Sequence, residues 1–202
     1  ALPISAQAGT AGSYSVSIVA SNGVGSDATL PVTLQVKEAP SITSSASTLF
    51  QVGVAGSFTV TATGTPAPTF GVSGTLPSGV TLNTNTGELS GTPAGGSGGS
   101  YALTLSANNG VGSAASQSFT LTVTQAPEIS GGATASFIVG SANTYTPTAT
   151  GFPAPSFSLS GSLPSGLSFS TSTGVISGTA QSGTGGSYPV TITAGNGVPS
   201  DA

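Results

Sequence analysis

The sequence predicts an all-β chain of tandem antiparallel β-sandwiches. Three observations carry that prediction: apolar residues alternate with a period of two, one block recurs every 87 residues without a gap, and Gly and Pro punctuate the alternating runs. Phe58, Val60 and Ala62 alternate with Ser57, Thr59 and Thr61. Tyr101, Leu103, Leu105 and Ala107 alternate with Ala102, Thr104 and Ser106, and Phe119, Leu121 and Val123 alternate with Thr120 and Thr122. Such runs read as half-buried strands, with Thr on the outward positions favouring an extended backbone while tolerating water. The N-terminal part matches with Tyr14, Val16, Ile18 and Ala20, then Leu30, Val32, Leu34 and Val36, and the C-terminal part with Tyr188, Val190, Ile192 and Ala194. No window carries a helical stripe.

The repeat aligns residue for residue. Ala39-Pro40 returns as Ala126-Pro127, Pro66-Ala67-Pro68 as Pro153-Ala154-Pro155, and Ser100-Tyr101 as Ser187-Tyr188, each at an offset of 87. Ser13-Tyr14 and Asn22-Gly23 keep the same register, the latter leading to Asn109-Gly110 and Asn196-Gly197. That period is too long for a helical solenoid or a propeller blade and suits a small domain. Residues 1–37 are expected to be the C-terminal part of a first copy, 38–125 a complete second copy, and 126–202 a third copy lacking its last strand, the counterpart of Ser116–Thr124. The plainer reading of both ends is an excerpt from a longer array. Ala28–Val36 nevertheless carries the pattern that the third copy lacks, which leaves strand exchange between chains as a second reading.

Within the block, Leu76 to Pro93 reads LPSGVTLNTNTGELSGTP and returns from Leu163 as LPSGLSFSTSTGVISGTA. Pro77-Ser78-Gly79 is expected to turn, Val80–Leu82 to form a short strand, Asn83–Gly87 to turn again and Leu89-Ser90 to return. The Asn-Gly pairs fall between the last two strands and predict a hairpin connection. About six to seven short strands per copy, separated by turns, predict two antiparallel sheets packed face to face. The Ala-Pro steps are expected to mark stiff, extended linkers between copies. Two prolines disturb the pattern: Pro147 stands at the place of Val60 and Pro189 at that of Ala102, so shortened or edge-like strands are expected in the third copy.

Composition excludes several functions. The chain of 202 residues has one Lys, no Arg, five acidic residues and a net charge of −4. Nucleic-acid binding and anionic-membrane binding both need clustered cations, so neither partner is expected. No apolar run of about 18 residues suggests membrane insertion, and any secretory signal would lie outside the sequence given. Cys and His are absent, which removes disulfides, thiolate ligands and imidazole bases. With 36% apolar residues and low net charge, the chain is expected to fold.

The LPSG…TG…SGTP phrase, followed by GSY, the alternating apolar run, an NGVGS loop and a closing FTLTV strand, resembles the "putative Ig" repeat (cadherin-like, dystroglycan-type) of bacterial surface proteins. The resemblance implies tandem Ig-like antiparallel β-sandwiches of about seven strands in large extracellular or cell-surface proteins, with no fixed activity and no cofactor.

Candidate sites are few. Some cadherin-like relatives hold calcium between domains, and calcium needs converging carboxylates. The nearest approach here is Glu128 with Asp201 across the second joint, while Ala114 replaces the counterpart of Asp27, and solvated surface acids are the plainer reading. Ser78 and Ser90 have no base, Glu88 has no second carboxylate in its copy, and Lys37 has no counterpart in the next copy, so neither catalysis nor a self-formed cross-link is expected. Tyr14, Tyr101 and Tyr188 fall in the inward phase and are expected in cores. Phe152, whose counterpart is Thr65, is the aromatic expected at a loop tip. No Asn-x-Ser/Thr acceptor occurs, while many hydroxyls leave O-glycosylation open.

The expectation is a non-enzymatic structural segment: a rigid spacer of roughly 35–45 Å per copy, from strands of 6–8 residues at 3.3 Å rise plus loops, or a self-assembling wall. Expected partners are neighbouring repeats, identical chains in a filament or surface layer, and glycan. The rival reading is an adhesin or carbohydrate-binding module that uses loops at one end of each domain.

Overall fold

The computed structural model describes residues 5–7 and 9–199. Among them every regular element is a strand. The N-terminal part holds β1 (Gly12–Ala20) and β2 (Ala28–Val36). The middle copy holds β3 (Glu38–Ile42), β4 (Ser47–Gln51), β5 (Gly56–Thr59), β6 (Ala62–Thr65), β7 (Thr69–Ser73), β8 (Val80–Leu82), β9 (Glu88–Gly91) and β10 (Gly99–Asn108). Then β11 (Ala115–Ser130) leads into β12 (Ala142–Tyr145), β13 (Thr148–Phe152), β14 (Ser156–Ser160), β15 (Leu167–Phe169), β16 (Ile176–Thr179) and β17 (Thr191–Gly195).

The middle copy is a two-sheet sandwich. One sheet runs β7, β10, β11, with β4 added parallel on the far edge of β11; β5, β9 and β8 form a second ladder, and β3 pairs β6. Between the layers lie Phe50, Val60, Leu89, Leu105, Phe119, Leu121 and Val123, all nearly inaccessible. Removing each such side chain from water contributes about 1.5–3 kcal/mol. The rings of Phe58 and Phe119 meet at 5.1 Å between centroids, tilted by 44°, a favourable aromatic arrangement. Hydroxyls face outward: Thr104 lies opposite Ser118, and Ser100 opposite Thr122.

The repeated phrase folds as its turn residues dictate. Val80 pairs with Gly91 and Leu82 with Leu89, while the Asn83 side-chain oxygen accepts the Asn85 and Thr86 N–H groups and closes the turn. Gly91 is fixed by close approach: at φ +144°, a Cβ there would lie 2.0 Å from the Gly79 carbonyl oxygen. Gly178 faces Gly166 in the same way, at 2.1 Å.

Three expectations need correction. The run through Phe58, Val60 and Ala62 is two strands, because the chain changes sheets at Val60-Thr61: β5 pairs β9, whereas β6 pairs β3. Pro147 therefore stands in a gap between β12 and β13, where it is buried in the place of Val60 and forfeits only the bond that Val60 N–H makes to Gly87 O. The Ala-Pro steps are not linkers. Ala39-Pro40 lies inside β3 and Ala126-Pro127 inside β11, each at a register shift, where a residue without an N–H costs no ladder bond. Finally, Tyr14 and Tyr188 are 44% and 41% exposed, whereas Tyr101 packs against the core cluster of the middle copy.

The third copy repeats the second with losses along one edge. β17 is shorter than β10, beginning after Pro189, and residues 134–138, the counterparts of β4, form no strand. Phe137 is half-buried where Phe50 is 4% exposed.

Candidate functional site at the inter-repeat joint

The most constrained geometry outside the cores lies where one copy meets the next. At the second boundary β11 runs unbroken from Ala115 to Ser130, pairing first with β10 and then with β13, so the last strand of one copy is also the first strand of the following one. At the first boundary only Lys37 separates β2 from β3.

An asparagine fastens each boundary. The Asn109 amide nitrogen donates to Glu38 O at 2.8 Å and to Pro66 O at 2.7 Å, while its carbonyl oxygen accepts Val111 N–H at 3.1 Å. Asn196 repeats the set with Gln125 O, Pro153 O and Val198 N–H, at 2.8, 2.8 and 3.1 Å. Each side chain thus ties a loop after the tyrosine-bearing strand to the segment entering its own copy and to a turn that carries a cis proline, Pro66 or Pro153. Gly64 and Gly151 leave room for the clamp: a Cβ on Gly64 would lie 2.9 Å from Asn109 Nδ2 and 3.1 Å from Pro40 Cα. From sequence these Asn-Gly pairs are turn signals alone. The recurrence of the Asn together with the Pro-Ala-Pro turn was the available clue, but which backbone groups they meet depends on tertiary packing.

The second joint carries contacts from both copies. Gly98 donates its N–H to Gln125 Oε1 at 3.1 Å, and a Cβ on Gly98 would sit 3.0 Å from the Phe152 Cβ. Gln51 donates its side-chain amide toward Pro199 O at 3.5 Å. Phe152 is therefore half-buried against the preceding copy, not displayed at a free loop tip.

Other sequence-selected residues are dispersed. Glu128 is exposed on β11 opposite Thr150, and Asp201 lies outside the described residues. Among the described residues no three His, Cys, Asp or Glu cluster as a metal site would require. Glu88 accepts a hydrogen bond from Ser57 Oγ at 2.9 Å. Ser78 and Lys37 are exposed, and Ser90 sits in β9 between Ser57 and Thr81. The three tyrosines share one feature: each phenol O–H donates to the carbonyl four residues earlier, Tyr14 to Thr10, Tyr101 to Ser97 and Tyr188 to Thr184, at 2.8, 2.8 and 3.0 Å. This is the tyrosine corner of immunoglobulin-type sandwiches. Among the described residues no helix is long and apolar enough to cross a membrane.

Paired antiparallel sheets and repeated tyrosine corners define tandem Ig-like domains. The family model described as Putative Ig domain matches residues 39–124 and 126–200, and the chain belongs to that family. No curated protein matches it. Among solved structures, a mutated three-Ig fragment of titin is 18% identical over 96% of this chain and 72% of that chain, with a TM-score of 0.57. The insect immune protein hemolin is 21% identical over 91% of this chain and 52% of that chain, with a TM-score of 0.50. Both show the fold alone. A putative alpha-galactosidase from Bacteroides fragilis is 27% identical over 46% of this chain but only 19% of that chain, with a TM-score of 0.39. The chain thus spans from about a fifth to about three quarters of the length of these relatives.

Proposed function

We propose that this chain is a structural segment of an extracellular or cell-surface protein, a string of Ig-like repeats that acts as a rigid spacer or as the wall of an assembly. The copies divide as 1–37, 38–125 and 126–202. The observation that carries this reading is β11, which serves both copies without a linker and is clamped beside the boundary by Asn196. A shared strand transmits orientation directly, whereas a flexible linker would let adjacent domains reorient. The near-absence of charge supports a fixed neutral surface over a steered, ligand-seeking one. The family resemblance to bacterial surface repeats supports the location. Neighbouring repeats, identical chains and glycan are the proposed contacts, and no catalytic role is proposed, since the chain has no His or Cys and Glu88 is held by Ser57 on the face of a strand.

Small-angle X-ray scattering of the full chain tests the spacer reading. A single extended shape is expected, with Gly98→Val broadening the distribution of inter-copy angles by forcing Gln125 and Phe152 apart. A wild-type chain as flexible as that variant would overturn it. The adhesin reading loses its main aromatic because Phe152 is packed at the joint. Glycan-array binding abolished by Phe152→Ala, with the joint intact by scattering, would restore it.

A further inference from the structure

Each clamp asparagine is followed by glycine, as Asn109-Gly110 and Asn196-Gly197. In that order the two residues can react with each other. The backbone nitrogen of the glycine attacks Cγ of the asparagine and a C–N bond forms; the bond to the side-chain nitrogen breaks, and that nitrogen leaves as ammonia with the glycine's amide proton. Water then opens the five-membered imide at either carbonyl, leaving aspartate or isoaspartate. Glycine favours the attack because it has no Cβ to shield its nitrogen.

The two sites are closely alike. Both asparagines are half-buried, and both glycines are left-handed, at φ +73° and +78°. Both asparagine side-chain oxygens accept the N–H two residues on. The residue before each pair accepts a hydroxyl on its backbone oxygen, Asn108 from Thr69 at 3.1 Å and Gly195 from Ser156 at 3.2 Å. The difference lies in that preceding side chain. Asn108 Oδ1 accepts the Gly110 N–H, the attacking group, at 3.0 Å. Gly195 stands at the same place in the third copy and has no side chain to offer Gly197.

We propose that Asn196-Gly197 is a site of spontaneous deamidation, with water as the only co-reactant, and that Asn108 guards the matching pair Asn109-Gly110. The attack requires the glycine nitrogen to give up its proton, and a hydrogen-bonded amide does so only after the bond opens. At Gly110 that opening comes first. The consequence falls on the joint. The nitrogen that leaves Asn196 is the donor to Gln125 O and Pro153 O, and the carboxylate that replaces it has no N–H and faces two carbonyl oxygens. The isoaspartate product also lengthens the backbone by one carbon. The third copy thus loses its tie to the segment that enters it as the chain ages, while the middle copy keeps its own. This holds whether the joint serves a spacer or any other role.

Peptide mapping by mass spectrometry of the full chain, aged at mildly alkaline pH, tests it. Conversion at residue 196 should run about threefold to tenfold faster than at residue 109, the protection that one hydrogen bond gives. In denaturant the two rates should coincide, because the fold supplies the difference. Exchanging the preceding residues should exchange the behaviour: Asn108→Gly frees the Gly110 N–H and speeds conversion at 109, and Gly195→Asn slows it at 196. The second variant fits without strain, since a Cβ on Gly195 meets nothing within 4 Å. Chain converted at 196 should unfold at lower denaturant concentration than fresh chain, as Asn196→Asp should. Equal rates in the folded chain, a difference that persists in denaturant, or exchanges that leave both rates unchanged would each overturn the proposal. So would a converted chain that unfolds where fresh chain does. These readouts do not depend on the stiffness of the joint, so a flexible joint would overturn the spacer reading and leave the deamidation site standing.

Discussion

The amide of Asn196 donates to the backbone oxygen of Gln125, 71 residues earlier, at 2.8 Å, and Asn109 bonds Glu38 across the same separation at the same distance. A polar side chain thus holds the strand that enters each copy against the loop that closes it. Such half-buried amide bonds matter because their partners, once abandoned, have few other donors to turn to.

Replacing Asn196 by Ala should therefore destabilise the third copy by about 1–3 kcal/mol, the cost of leaving Gln125 O and Pro153 O without their donor. Denaturant unfolding should show an earlier transition, and scattering a looser joint. Asn109→Ala should do the same at the first boundary. An unchanged midpoint in both variants would remove the clamp from the account.

Gly91→Ala should be among the most damaging single changes in the chain, costing more than about 3 kcal/mol, since the new methyl would overlap the Gly79 carbonyl on rigid backbone. Gly95→Ala serves as the comparison. A Cβ there meets nothing within 4 Å, so its melting temperature should stay at the wild-type value.

Core and surface leucines should separate cleanly. Leu105 is fully buried, and Leu105→Ala should cost about 2–5 kcal/mol in chemical denaturation through lost burial and a residual cavity. Leu49, 63% exposed on the edge strand β4, should tolerate Ala within about 0.5 kcal/mol.

Salt should change little. With one Lys and five acidic residues in the chain and, among the described residues, no charged residue in the core, raising ionic strength screens almost nothing. Thermal melts between low and high sodium chloride should shift by no more than a few degrees; a large destabilisation at high salt would reveal an electrostatic contribution that the residues named above do not supply.

Much of this was legible beforehand. Alternating runs such as Tyr101–Ala107 declared strands because a pleated backbone sends successive side chains to opposite faces, and the offset of 87 declared the copies. The Leu76–Pro93 hairpin was readable because its turn residues act locally. The sheet change at Val60-Thr61 was not, since the alternation continues across it in phase and gives no sign that the partners differ. Nor was Phe152, whose packing depends on Gly98 in the preceding copy.

By itself, then, the sequence determined the all-β class, the period, the hairpin turns and the absence of His and Cys, because each rests on residue identity or on contacts a few positions apart. Tertiary structure alone decided that the Ala-Pro steps lie within strands, that β11 belongs to two copies, and that Asn109 and Asn196 reach back 71 residues. Those facts concern which distant backbone groups meet, and a hydrogen bond between remote segments leaves no periodic trace in the order of residues.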